Sequence, residues 1–278
     1  MEQRNRSEGW EYAKKTGHDN ERLVAELTRS DPSIQQRILS CVHLENEQII
    51  RVEYGGICEK NVECIFSGEN TKSKTDMWLV LESGKHINVS VKKDNKGQAF
   101  LVSIDRFIRG FELQYNEKIP YKVKRALELY FGSAEDIPEI INKYATNNIS
   151  LQVRKHRLVA STLKAYDDEL ANLLLSWINE HIQELFDYCF ARGLAKSSAD
   201  WAHIIWYKNM LGEYNFDEMI NIAEAKTAFS SSAVYGPRNG GSTIQLPFGF
   251  IEWHSPRKTI PGNIQFHHKY DKIINALK

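Results

Sequence analysis

Two short apolar, β-branched runs, Asp76–Leu81 and Ile87–Val91, meet at Ser83-Gly84-Lys85. Runs of that length, joined by a glycine turn, pair as an antiparallel hairpin. The hairpin fixes which side chains meet. Ser90 and Lys92 are two apart on the second strand, so they share a face, while Val89 and Val91 point to the other. The start of the first strand lies opposite the end of the second, so Asp76 is expected to face Lys92. A carboxylate beside an ammonium at a strand end suits metal-assisted phosphodiester hydrolysis. The carboxylate holds Mg²⁺, a cation that prefers oxygen ligands, and the lysine orients water or stabilises developing charge.

The rest of the chain alternates in character. Trp10–Leu27 reads as helix around a break at Gly17, with Leu23, Val24 and Leu27 as its apolar face. Asp31-Pro32-Ser33 reads as a turn and helix start, with Pro just inside. Ile49–Tyr54 reads as a strand, and Ala99–Gly110 and Val123–Tyr130 as helices. From Glu135 to Ala225 the pattern is almost wholly helical, with Leu170, Leu173, Leu174, Trp177, Ile178, Ile182, Leu185 and Phe186 as a core-facing stripe. After Ser230 the composition shifts. A glycine-rich loop over Tyr235–Ser242 precedes the strand candidates Thr243–Leu246, Phe248–Trp253 and Asn263–Phe266. The expected architecture is α/β (α+β): a mixed central sheet flanked by helices, with a helical insertion and a β-rich C-terminal segment. In segments, this is a core over 1–134, an insertion over 135–229, and a β-rich stretch over 230–278 that completes the fold.

Composition narrows the function classes. The 36 basic and 36 acidic residues cancel, so binding to a polyanion requires positive charge gathered in local clusters. No apolar stretch approaches the roughly 20 residues of a membrane span. The first thirty residues are charged and polar, so secretory export is not expected and the cytoplasm is. Cys41, Cys58, Cys64 and Cys189 fit no common zinc spacing and read as reduced thiols. Walker, GxGxxG and GxSxG motifs are absent, which removes support for NTP hydrolysis, dinucleotide binding and acyl transfer.

Asp76, then Ser90-Val91-Lys92, resembles the PD-(D/E)xK nuclease superfamily and, within it, the type II restriction endonucleases. Asp76 matches the first acid and Lys92 the lysine, while Ser90 stands where an acid is usual. Gly17-His18-Asp19-Asn20-Glu21 is similar to the Glu-bearing first helix of many members, and Lys96-Gly97-Gln98 to the turn after the lysine strand. The resemblance covers roughly residues 10–130. It implies a restriction-endonuclease-like core and a Mg²⁺-dependent, site-specific double-stranded DNA endonuclease, working beside a DNA methyltransferase and as a homodimer. It also implies that Asp76, Glu21 and the Val91 carbonyl hold the metal, that Lys92 positions the attacking water, and that Ser90 bonds a water of the metal. Glu82 is the second choice for the missing acid.

Candidate DNA contacts are Lys93, Gln98, Arg238, Asn239, Arg257, Lys258, His267, His268 and Lys269, with Arg154-Lys155-His156-Arg157 as a further basic run. Arg238 and Asn239 carry side chains suited to base edges. A repair or junction nuclease of the same fold, or an inactive DNA-binding module, are the alternatives, the latter favoured by Ser90.

Overall fold

The hairpin forms as expected. In the computed structural model, which describes residues 6–55, 61–145, 156–212, 214–254 and 262–278, β4 (Met77–Leu81) pairs antiparallel with β5 (His86–Lys92). Met77 lies opposite Val89 and Val80 opposite His86. Gly84 takes φ 80° in the turn, where an L side chain would be strained.

By its internal contacts the chain divides into two units, one running to Asn95 with Phe190–Ala225, the other Lys96–Cys189 with Lys226–Lys278. The first contains helices α1 (Arg6–Ser30) and α2 (Pro32–Cys41) and a mixed sheet. Strands β1 (Ile49–Tyr54), β7 (Ile204–Lys208) and β8 (Asp217–Asn221) join the hairpin in the order β1-β4-β5-β7-β8, with β7 parallel to β5 and the other pairings antiparallel. Met77, Leu79, Leu81, Val89, Val91, Ile204 and Trp206 are buried in one cluster with Val24, Ile34 and Ile38 of the two helices. Asp31 caps α2, accepting from the Ser33 amide at 2.9 Å, and Pro32 occupies the first turn, where its missing N–H costs nothing. A short hairpin of β2 (Asn61–Glu63) and β3 (Asn70–Lys72) also belongs to this unit.

The second unit is a five-stranded antiparallel sheet with helices. Strands β6 (Lys96–Ser103), β9 (Val234–Tyr235), β10 (Thr243–Leu246), β11 (Gly249–His254) and β12 (Asn263–Lys269) run in the order β6-β12-β11-β10-β9. Its helices are α3 (Ile104–Tyr115), α4 (Tyr121–Phe131), α5 (Ile137–Tyr144), α6 (Ala160–Tyr166), α7 (Asp168–Glu180), α8 (Ile182–Asp187) and α10 (Tyr270–Ala276), while the single turn α9 (Ile222–Ala225) belongs to the first unit. Phe107 packs 5.7 Å from Phe266 and edge-on to Trp177, and Phe111 meets Trp177 at 5.1 Å. The stripe read on α7 and α8 is therefore core, with Leu170, Leu174, Trp177, Ile178, Ile182, Leu185 and Phe186 buried.

Four expectations need correction. The helix does not break at Gly17: α1 continues through it. A glycine inside a helix costs about 1 kcal/mol relative to alanine, which the tertiary packing of α1 outweighs. Residues 96–103 form a strand, not the start of a helix. Ala99–Val102 is a short apolar run whose period is ambiguous, and the helix begins only after Ser103, whose Oγ accepts from the Arg106 amide at 3.4 Å. The stretch 135–225 is not wholly helical, because it contains β7 and β8. Ile204-Ile205-Trp206-Tyr207 is buried at every position. A strand covered on both faces shows no alternation and reads like helix. The unit boundaries also fall elsewhere than 134 and 229. The helical stretch returns β7 to the first sheet, and Lys96–Ser103 pairs with β12 near the chain end.

Candidate active site at a strand end

The C-terminal end of β5 gathers the polar groups that the hydrophobic strands would otherwise exclude. Asp76 precedes β4, and its amide donates to Val89 O at 2.9 Å, which extends the hairpin by one step. This register puts Asp76 across from Ser90. It does not put Asp76 across from Lys92, as the sequence suggested, because the turn sits one residue earlier than Ser83-Gly84-Lys85, closed by Leu81 N bonded to Lys85 O at 2.9 Å. Asp76 Oδ2 accepts from the Ser90 hydroxyl at 3.2 Å and from the Val91 amide at 2.7 Å. Lys92 Nζ donates to Ser90 Oγ at 2.6 Å and to Val91 O at 3.3 Å, and lies 3.8 Å from Asp76 Oδ2. Ser90 thus links the carboxylate to the ammonium. Among the described residues, Asp76 Oδ1 has no hydrogen-bond partner.

Glu21 comes from α1, and only 8% of it is exposed. Burial, reinforced by the Asp76 charge and opposed by Lys92, pushes its carboxyl up to about 8. His18, one turn earlier, lies 3.2 Å from Glu21 Oε2 through Nδ1. Burial and the nearby Asp76 carboxylate thus both disfavour the ionised form of Glu21. Glu82, the alternative acid, is exposed beyond the far end of β4, where its amide donates to Gln48 O. Six residues of strand at about 3.3 Å each put it ~20 Å from Asp76, so it cannot replace the acid missing at Ser90.

The donor set fits a hard dication. Two carboxylates and the Val91 carbonyl supply oxygens only, and Mg²⁺ usually takes one or two carboxylates and keeps several waters. Among the described residues, no group of three or more His, Cys, Asp or Glu gathers around a common point.

Two asparagines that sequence reasoning did not assign frame the site. Asn20, 1% exposed, donates to Lys208 O at 2.9 Å and accepts from Met210 N at 2.7 Å. Asn209 donates to Lys93 O at 2.9 Å and accepts from Leu211 N at 2.8 Å. The signal for Asn20 was present but faint: asparagine inside a helix disfavours it unless its amide has work elsewhere.

Of the proposed DNA contacts, Lys93 is in the first unit, where its ammonium pairs with Asp94. The others belong to the second unit or fall outside the described residues. Gln98 Oε1 accepts from Gln265 at 2.8 Å. His267 lies 2.8 Å from Glu252 and stacks on Phe250 at 4.4 Å, and Lys269 sits 5.4 Å over the same ring. His268 is 3% exposed; it faces the opposite side of β12 from His267, so it is removed as a DNA contact. Arg238 and Asn239 are exposed. The glycines after them are not free to enter a groove. Gly240 O accepts from Ser161 N at 2.8 Å and Gly241 O from the Tyr130 hydroxyl at 2.6 Å. Arg157 is buried, bonded to Tyr130 O and Ser242 O and stacked over Tyr130 and Trp253, so it is no phosphate contact. Arg154, Lys155, Arg257 and Lys258 lie outside the described residues.

No family model and no curated protein matches the chain. Among solved structures it is similar to the restriction endonuclease MspI in complex with its cognate DNA, at 12% identity and a TM-score of 0.48, over 84% of this chain and 77% of that one.

Proposed function

We propose that this chain is a Mg²⁺-dependent endonuclease of double-stranded DNA, of the type II restriction kind, acting as a homodimer and beside a DNA methyltransferase in the cytoplasm. The observation that carries the reading is the strand-end cluster in which Ser90 joins Asp76 to Lys92, with Glu21 buried beside them. Asp76, Glu21 and the Val91 carbonyl would hold the ion. When bound, it offsets the negative charge that builds on the phosphate during attack. Lys92 Nζ, which donates to Ser90 Oγ and Val91 O, would use its remaining donor to orient the attacking water and share that charge. Ser90 fixes the lysine relative to Asp76 and would bond a water of the metal, while Glu21 supplies the acid usual at this position in the resembling family.

Duplex binding falls to Lys93, Gln98, Arg238, Asn239, His267 and Lys269, of which Arg238 and Asn239 are suited to reading base edges. The test is digestion of supercoiled plasmid with and without Mg²⁺. Discrete fragments that require the ion support the reading. A smear points to a nuclease without site preference, such as a repair enzyme. Intact plasmid that still shifts with the protein points to the binding module that Ser90 allows.

A further inference from the structure

We propose that Asn20 and Asn209 form an amide clasp that positions the two halves of the candidate metal site. This inference rests on the function proposed above and names residues that do not themselves touch the ion. Glu21 and the Asp76–Lys92 pair arrive on different elements, far apart in the chain. Something must fix the helix against the strand ends to a fraction of an ångström, because a ligand that drifts loses the ion.

Asn20, beside Glu21, bonds both Lys208 O and Met210 N. The C=O of one residue and the N–H two residues later point to the same edge of an extended chain, the pair a neighbouring strand would normally take. The Asn20 side chain takes that place where β7 ends, so α1 is gripped by two bonds that restrict both its translation and its rotation. Asn209, one step on, makes one long-range bond and one local one. Its amide reaches Lys93 O, next to Lys92, while its carbonyl oxygen accepts from Leu211 N. The order of contact is Glu21–Asn20–end of β7–Asn209–Lys93–Lys92. Asn20 is 1% exposed and Asn209 8% exposed, so water does not compete for these bonds.

A structural role alone predicts lost stability and nothing else, so the experiment separates the two. Asn179 provides the control. It makes a similar double contact in the second unit, accepting from Ala233 N at 2.7 Å and donating to Ala233 O at 3.1 Å. Mn²⁺ binding to the full-length protein without DNA is followed by electron paramagnetic resonance, alongside thermal unfolding and the Mg²⁺ concentration for half-maximal plasmid cleavage. Asn20→Ala and Asn209→Ala should each weaken Mn²⁺ binding by about tenfold and raise the Mg²⁺ requirement in parallel. The double variant should be no weaker than the worse single one, since either break opens the same clasp. Asn179→Ala should lower the unfolding temperature and leave Mn²⁺ binding alone. If an alanine variant does not fold, Asn209→Asp carries the test, since it keeps the acceptor for Leu211 N and loses the donor to Lys93 O. Folded clasp variants that bind Mn²⁺ as the wild type does overturn the clasp. A wild-type protein that neither binds Mn²⁺ nor cuts overturns the proposed function, and the clasp with it.

Discussion

The two five-stranded sheets handle polar groups in opposite ways. In the antiparallel sheet of the second unit, polar side chains on the strands pair with each other: Gln98 with Gln265, His267 with Glu252. In the mixed sheet of the first unit, the end of β5 holds a carboxylate and an ammonium that are mostly buried, with a second carboxyl of raised pKa beside them. Burying like charges together is unfavourable unless a cation joins them. A fold keeps such an arrangement where chemistry needs it. The proposed function makes the first sheet the reacting one, and the second a scaffold with a binding face.

The sharpest way to break this contrast is to remove a carboxylate from the first sheet. Asp76→Ala should slow cleavage on the order of 10³-fold, since a metal ligand stabilises the transition state by several kcal/mol. Circular dichroism should show the fold intact. A core deletion in the second sheet should do the reverse. Phe266 is fully buried against Phe107, so Phe266→Ala should cost about 3–5 kcal/mol in urea unfolding, with Mn²⁺ binding by the folded fraction unchanged.

Smaller effects sharpen the comparison within the first unit. Burial alone would raise the Asp217 carboxyl, but hydrogen bonds from Arg37, Lys208 and Trp206 outweigh it and bring the group down to about 2. A depressed folded pKa contributes stability above the unfolded value near 4 that is lost as pH falls toward about 2. Acid unfolding curves of Asp217→Asn should lack that part of the decline. The smallest effect expected is at the second sheet's surface. Lys269→Ala should weaken cognate and scrambled duplexes alike and reduce the salt slope by about 1, read from binding titrations at two salt concentrations.

Local signals made much of this legible in the sequence. The glycine turn and β-branched runs located β4 and β5, and Asp31-Pro32 located the start of α2. The meeting of Ser90 and Lys92 was legible because side-chain alternation puts them on one face. Two kinds of information were missing. Strands buried on both faces, as at Ile204–Tyr207, carry no period, so β7 was hidden in a helical reading and with it the parallel neighbour of β5. Register depends on where the turn sits, and a turn closed by Leu81 and Lys85, one residue earlier than expected, moved the partner of Asp76 from Lys92 to Ser90. The Asn20 and Asn209 contacts join positions more than a hundred residues apart, and their main-chain partners accept any side chain, so no spacing announces them. His268 was misassigned for a related reason: on β12 the face is set by pairing with β6 and β11, which only the assembled sheet fixes.

The central claim is that the end of β5 performs phosphodiester hydrolysis. The most direct test is single-turnover cleavage of a preformed protein–duplex complex after addition of Mg²⁺, comparing wild type with Lys92→Ala. The account predicts cleavage by the wild type only with the ion, and a variant slower by on the order of 10³-fold with duplex affinity unchanged. A Lys92→Ala protein that cuts at close to the wild-type rate would contradict it.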